Sequence, residues 1–218
     1  MSDVQMALGG ASFDGLVSIE EVAAQGMITL RGDLTDKTIV KAVKDVFGVA
    51  LPGTRGAEFD SANGALWMSP DEALLLCPYA QAQTNADALS AKLEKTHALV
   101  VNVSDARAVF HLKGYAVREV IAKLAPVDMS PEAFAPGQVR RTRMSQVAAA
   151  FWMDDASNAH VVCFRSVADY MFNILKNAAD PHASVNYLCP DSTGLALTNL
   201  NKTLKIDANL DEICAAFD

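Results

Sequence analysis

Apolar residues recur along this chain with a period near two in some stretches and about 3.6 in others, and the switches between them predict the elements. Residues 1–14 are small and polar around Gly9-Gly10, show no period and are expected to fray. Residues 16–22 and 27–30 read as two short strands around a Gln25-Gly26 turn. Over 35–47 the period becomes helical: Ile39, Val40, Val43, Val46 and Phe47 share a face, Thr35 or Asp36 can cap it, and Gly48 ends it. Three apolar runs follow, at 57–59, 65–68 and 73–77. Asn63-Gly64 suits a type I′ hairpin turn between the first two, because both residues tolerate positive φ. Residues 69–72 make the next turn, and a helix is predicted over 81–95 with Ala82, Ala86, Leu89 and Leu93 on one stripe.

The theme then repeats. Strands at 98–103 and 108–112 are joined through Ser104-Asp105-Ala106-Arg107. Beyond Gly114 a helix over about 116–124 turns Val117, Val120, Ile121 and Leu124 inward, and Pro126 stops it. Residues 131–134 suit a short helical turn. Strands at 139–145, 147–153 and 159–164 precede a last helix over 167–178, with Val167, Met171, Phe172 and Leu175 on one stripe. This rhythm predicts an α+β fold: two similar halves of mixed or antiparallel sheet with helices packed on them. The halves fall at 15–96 and 97–180, and we do not read them as independent domains. Residues 181–218 are too apolar for a disordered tag and are expected to pack on the body or on a partner.

Half the 218 residues are apolar, enough for a core without metal or disulfide staples. Charge narrows the partners further. A net charge of −8 argues against nucleic acid and against an anionic membrane surface, and the basic residues are scattered except at Arg140, Arg141 and Arg143. No apolar run reaches the roughly 18 residues of a membrane helix, and residues 1–13 lack the pattern of a signal peptide, so a cytoplasmic protein is expected. Cys77, Cys163, Cys189 and Cys214 form no C-x-x-C, and His97, His111, His160 and His182 form no close cluster in sequence. Reduced thiols and no metal site are the expectation.

Little in the sequence carries chemistry. Gly53-Thr54-Arg55-Gly56 lacks the spacing of a phosphate loop, and no G-x-S-x-G elbow exists. Ser166 reads as a helix N-cap and Asp128 as a cap on the short turn. Asp154-Asp155 read as solvated turn carboxylates, and Trp67 and Trp152 as core. The remaining candidates are Arg107, Arg141, Arg143 and Arg165, whose guanidinium forks could hold an anionic ligand or a partner's carboxylates. Against this stands a plainer arrangement, with Arg141 and Arg143 alternating on the solvent face of a strand, Arg140 flanking it, and Arg165 paired with Asp105.

The phrases VSDARAVFHLKGYAVREVIAKLAPVDMSPEAFAPG, VRRTRMSQVAAAFW and VVCFRSVADYMFNIL, with WMSPDEALLLCP upstream, resemble the γ subunits of heterotetrameric bacterial sarcosine oxidases. The similarity covers about residues 64–178. It implies a fold like that of the folate-binding aminomethyltransferases, including the T-protein of glycine cleavage. It also implies membership of an oxidoreductase complex that demethylates sarcosine to glycine, makes hydrogen peroxide and passes a one-carbon unit to tetrahydrofolate. FAD, FMN, NAD and zinc would belong to the α, β and δ subunits, and this chain would be a non-catalytic structural partner without a cofactor of its own. Aminomethyltransferases place an Asp-Asp pair beside the folate, whereas the corresponding stretch here, Ser145 to Ala150, carries no acid and cannot steer a proton. Two further readings stay open at this point: a folate-binding one-carbon module acting through a cleft between the halves, and a homo-oligomeric scaffold.

Overall fold

The computed structural model describes residues 5–186. In chain order the strands and helices are β1 (Ser12–Asp14), β2 (Ser18–Glu21), β3 (Gln25–Gly32), α1 (Lys37–Phe47), β4 (Ala57–Asp60), β5 (Asn63–Ser69), β6 (Glu72–Pro78) and α2 (Ala82–Lys92). There follow β7 (Ala98–Asn102), β8 (Arg107–Lys113), α3 (Val117–Leu124), β9 (Val139–Met144), β10 (Val147–Met153), β11 (Asn158–Phe164) and α4 (Ala168–Ala178). The helices form where the helical period lies. Asp36 caps α1 by accepting a hydrogen bond from the Thr38 N–H at 2.6 Å, and Gly48 closes it with φ 74°, a left-handed conformation that glycine adopts without strain.

Two antiparallel sheets stack face to face, in the orders β4-β5-β6-β3-β7 and β1-β2-β8-β11-β10-β9. Helices α1 and α2 bury their stripes on the outer face of the first, Ile39, Val43, Phe47 and Leu89 meeting Ile28, Leu30 and Leu75. Helices α3 and α4 cover the outer face of the second, with Val120, Ile121, Met171 and Leu175 against Phe110, Phe151 and Val161. The two inner faces meet through Met27, Leu66 and Leu74 on one side and Val109, Ala150 and Val162 on the other. Central strands are therefore buried on both faces, which is why residues 73–77 read as an unbroken apolar run rather than an alternation. The α+β architecture with helices packed on antiparallel sheets is the one the periods predicted.

Three local expectations are corrected. Residues 16–22 and 27–30 do not form a hairpin: Gln25 and Gly26 lie inside β3, and β2 pairs with β8 instead. A strand has two hydrogen-bonding edges, and β6 and β7 occupy both edges of β3. The sheets consequently trade strands, β1 and β2 joining the later strands while β7 joins the earlier ones. Asn63-Gly64 is likewise strand rather than turn, since Asp60 faces Asn63 and the reversal falls on Ser61-Ala62, Ser61 taking φ 54°. Gly64 serves another purpose: the Phe59 ring lies across it, and a Cβ there would come within 2.6 Å of Phe59 Cδ1. Finally, residues 5–14 are anchored. The buried Glu21 carboxylate accepts from the N–H groups of Leu8 and Gly10 at 3.0 and 2.9 Å, and β1 pairs with β2. Most of the 181–218 extension, including Cys189 and Cys214, lies outside the described residues.

Candidate functional site

The intersheet face of each strand carries every second residue, and at one end of the sandwich these positions stop being apolar. On the first sheet the register sets Leu99 and Glu72 on either side of Arg31. On the second it sets Arg107 opposite Phe164, Arg141 opposite Ala150 and Arg143 opposite Ala148. The two sheets bring their charged ends together around Glu72, whose side chain is 7% exposed. Arg31 Nη2 lies 3.1 Å from Glu72 Oε2, Arg141 Nη1 3.6 Å from the same oxygen, and Arg107 Nη2 3.9 Å from Oε1. Arg31 and Arg141 are half-exposed, whereas the Arg107 side chain is 13% exposed and its Nε is buried without a hydrogen-bond partner. Burial pulls the Arg107 pKa below the usual guanidinium range, opposed by the Glu72 charge. The Arg107 guanidinium also lies over the Phe164 ring, 5.3 Å from its centroid. A cleft of about 40 Å³ opens between Met68, Arg107, Arg141, Ala150, Val162 and Phe164.

Of the arginines singled out from sequence, the fold thus brings Arg107 and Arg141 together and sets exposed Arg143 along the same face of β9. Both β9 arginines lie on the intersheet face at its open end, and neither extends from the outer, helix-covered face. Arg165 lies elsewhere and donates to the Met6 carbonyl at 3.0 Å, while Asp105 accepts from Tyr79 Oη at 2.8 Å. Arg140 points to the opposite face, packing over the Phe134 ring and donating to the Ala133 carbonyl. Ser166 makes no cap; a tight helical turn, Arg165–Val167, leads into α4 instead. Asp128 does cap its turn, accepting from the Ser130 N–H at 2.9 Å.

The other end of the intersheet space is aromatic. Phe59, Trp152, His160 and His111 form a continuous stack with centroid separations of 6.0, 5.0 and 4.6 Å. It borders a cleft of about 530 Å³ whose wall includes Val22, Leu76, Pro78 and Asp154. Asp154 is not merely solvated, since its Oδ2 lies 2.8 Å from His160 Nε2. Among the described residues His111, Asp154 and His160 form the grouping that could hold a metal, with ligand atoms within 4.8 Å of one another. The imidazoles stack at 11°, however, so their in-plane lone pairs run side by side rather than converge. His111 Nε2 is also engaged, 3.1 Å from Asn158 Oδ1. The arrangement is satisfied as a hydrogen-bonded stack. No spacing in the sequence signals it, because His111 and His160 meet only through the β8–β11 register. Glu72 was equally hidden, reading as part of a turn.

The model of the "Sarcosine oxidase, gamma subunit family" matches residues 31–181. The chain belongs to this family. Among sarcosine oxidase gamma subunits, that of Corynebacterium sp. (strain P-1) is 26% identical over 180 residues, covering 82% of this chain and 87% of the relative. That of Arthrobacter sp. is 27% identical over 158 residues, covering 72% and 76%. The structure superposes with a TM-score of 0.71 on a chain of the heterotetrameric sarcosine oxidase from Corynebacterium sp. U-96 in complex with pyrrole 2-carboxylate. That match is 25% identical and covers 80% of this chain and 90% of the other. The glycine cleavage aminomethyltransferase T from Bartonella henselae shares the fold at a TM-score of 0.53 and 13% identity, over 71% of this chain and 44% of that one. The gamma subunit family thus carries an aminomethyltransferase-like fold, as the resemblance implied. Among the described residues of this family member, no helix is long and apolar enough to cross a membrane.

Proposed function

We propose that the chain is the γ subunit of a heterotetrameric sarcosine oxidase, a rigid body that supports assembly of the complex with the α, β and δ subunits. The observation that carries this reading is the superposition on 90% of a chain of a heterotetrameric sarcosine oxidase. In this reading FAD, FMN, NAD and zinc reside on the other subunits, which demethylate sarcosine oxidatively and pass the one-carbon unit to tetrahydrofolate in the cytoplasm. The intersheet positions Ala148 and Ala150 of β10 offer methyl groups and no carboxylate, which weighs against folate transfer by this chain itself.

The test is recovery of the tagged full chain from its host. The expected result is a yellow complex containing larger subunits, with hydrogen peroxide produced on addition of sarcosine. A colourless chain recovered alone, with no sarcosine-dependent peroxide, would overturn the reading.

A further inference from the structure

Three guanidiniums share one carboxylate at the open end of the sandwich, leaving an excess of two positive charges in a chain whose net charge is −8. Asp71, a neighbouring carboxylate, is exposed and accepts a hydrogen bond from Ser69; counting it together with Arg143 leaves the excess unchanged. Local attraction therefore favours an anion at this cluster, in a chain that is acidic as a whole. Arg107 adds a local demand. Its side chain is largely desolvated, its nearest carboxylate oxygen is 3.9 Å away, and its Nε lacks a partner, so its hydrogen-bonding capacity is incompletely used.

The rim of the cluster is apolar. Leu99, Val101 and Phe164 are 54%, 40% and 51% exposed. Leu99 and Val101 belong to β7, which pairs with β3 along one edge and forms the end of its sheet among the described residues. An apolar edge strand left open invites another chain, and natural proteins normally cover or charge such edges. The cleft beside Arg107 and Arg141, about 40 Å³, suits one carboxylate group and is far below the size of a cofactor or drug-sized ligand site. The combination of a small anion pocket with an apolar rim fits a protein segment rather than a free metabolite.

We propose that this end of the sandwich docks an acidic, partly apolar segment of a larger subunit of the assembled oxidase. Its carboxylates reach Arg31, Arg141 and Arg107, and an apolar side chain packs on Phe164 and Leu99. The proposal rests on the reading of the chain as an oxidase subunit.

The experiment co-expresses the tagged full chain with the other subunits and measures how much of them it recovers, identified by mass spectrometry. Arg31→Glu and Arg141→Glu are compared with Lys37→Glu, a reversal of an exposed lysine on α1, which covers the outer face of the first sheet, and thermal unfolding of each isolated chain checks that it is folded. Recovery is expected to fall at least tenfold for the two arginine reversals and to stay unchanged for Lys37→Glu. In Arg141→Lys, zero-length carbodiimide coupling is expected to join the new amine to an Asp or Glu peptide of a larger subunit. Undiminished recovery with both arginine reversals would overturn the proposal while leaving the subunit reading intact. A cross-link from Arg141→Lys only into a second copy, or only into residues 187–218 of the same chain, would overturn it too. If the unmodified chain recovers no larger subunit, the subunit reading itself fails and the proposal falls with it.

Discussion

Cys163 lies in β11 beside Arg107, and burial pushes its thiol up to about 12, opposed by the guanidinium charge. At neutral pH the side chain is an inert thiol, as its place in an apolar strand suggested. The shift has a sign for stability. The unfolded thiol ionises at about 8.5 while the folded one keeps its proton, so the stabilisation is fully present below ~8.5 and is lost as pH rises toward 12. The slope from this group reaches up to about 1.4 kcal/mol per pH unit. Urea unfolding of Cys163→Ala between pH 8 and 10 is expected to show a shallower alkaline decline than the parent chain. An identical slope in the two proteins would remove Cys163 as its source. Arg107 and Arg141 were legible at this scale, but Arg31 and Glu72 were not. The position of Glu72 after Ser69-Pro70-Asp71 is indistinguishable from an exposed turn until β3, β8 and β9 surround it.

Helices α1 and α2 were legible because their signals are local: each carries an apolar stripe, and α1 adds a cap at Asp36 and a stop at Gly48, all within one stretch of chain. Hairpins are less forgiving. Asn-Gly is a strong turn signal, yet at the β4–β5 connection the reversal occurs two residues earlier and Gly64 makes room for the ring of Phe59, which stacks on Trp152. A turn preference is worth little against an aromatic ring bridging two sheets. Gly64→Ala is accordingly expected to push Phe59 aside, costing about 1 kcal/mol of stability and altering the near-ultraviolet circular dichroism of the tryptophans. Retention of both would mean that the ring accommodates the methyl group in place.

For the molecule as a whole, the decisive feature is that β1 and β2 leave the consecutive strands β3 to β7, which make one sheet, and join β8 to β11 in the other. Glu21 links this arrangement to the anchored N-terminal segment. Glu21→Ala should remove charge-assisted hydrogen bonds worth about 2 kcal/mol together and abolish exchange protection at the amides of Leu8 and Gly10. Hydrogen-exchange mass spectrometry of the N-terminal peptide reads this out, and unchanged protection would show that β1 pairing alone holds the segment. The sequence by itself determined the helices, the apolar strand runs and the α+β class, because periodicity and capping act over a few residues. Tertiary structure alone decided which strands pair, and so brought Arg107 and Arg141 to Glu72 and His111 to His160. Alternation along a strand fixes which residues share a face; it does not name the neighbour, because both edges of a strand offer the same backbone groups and side chains distant in sequence must choose between them.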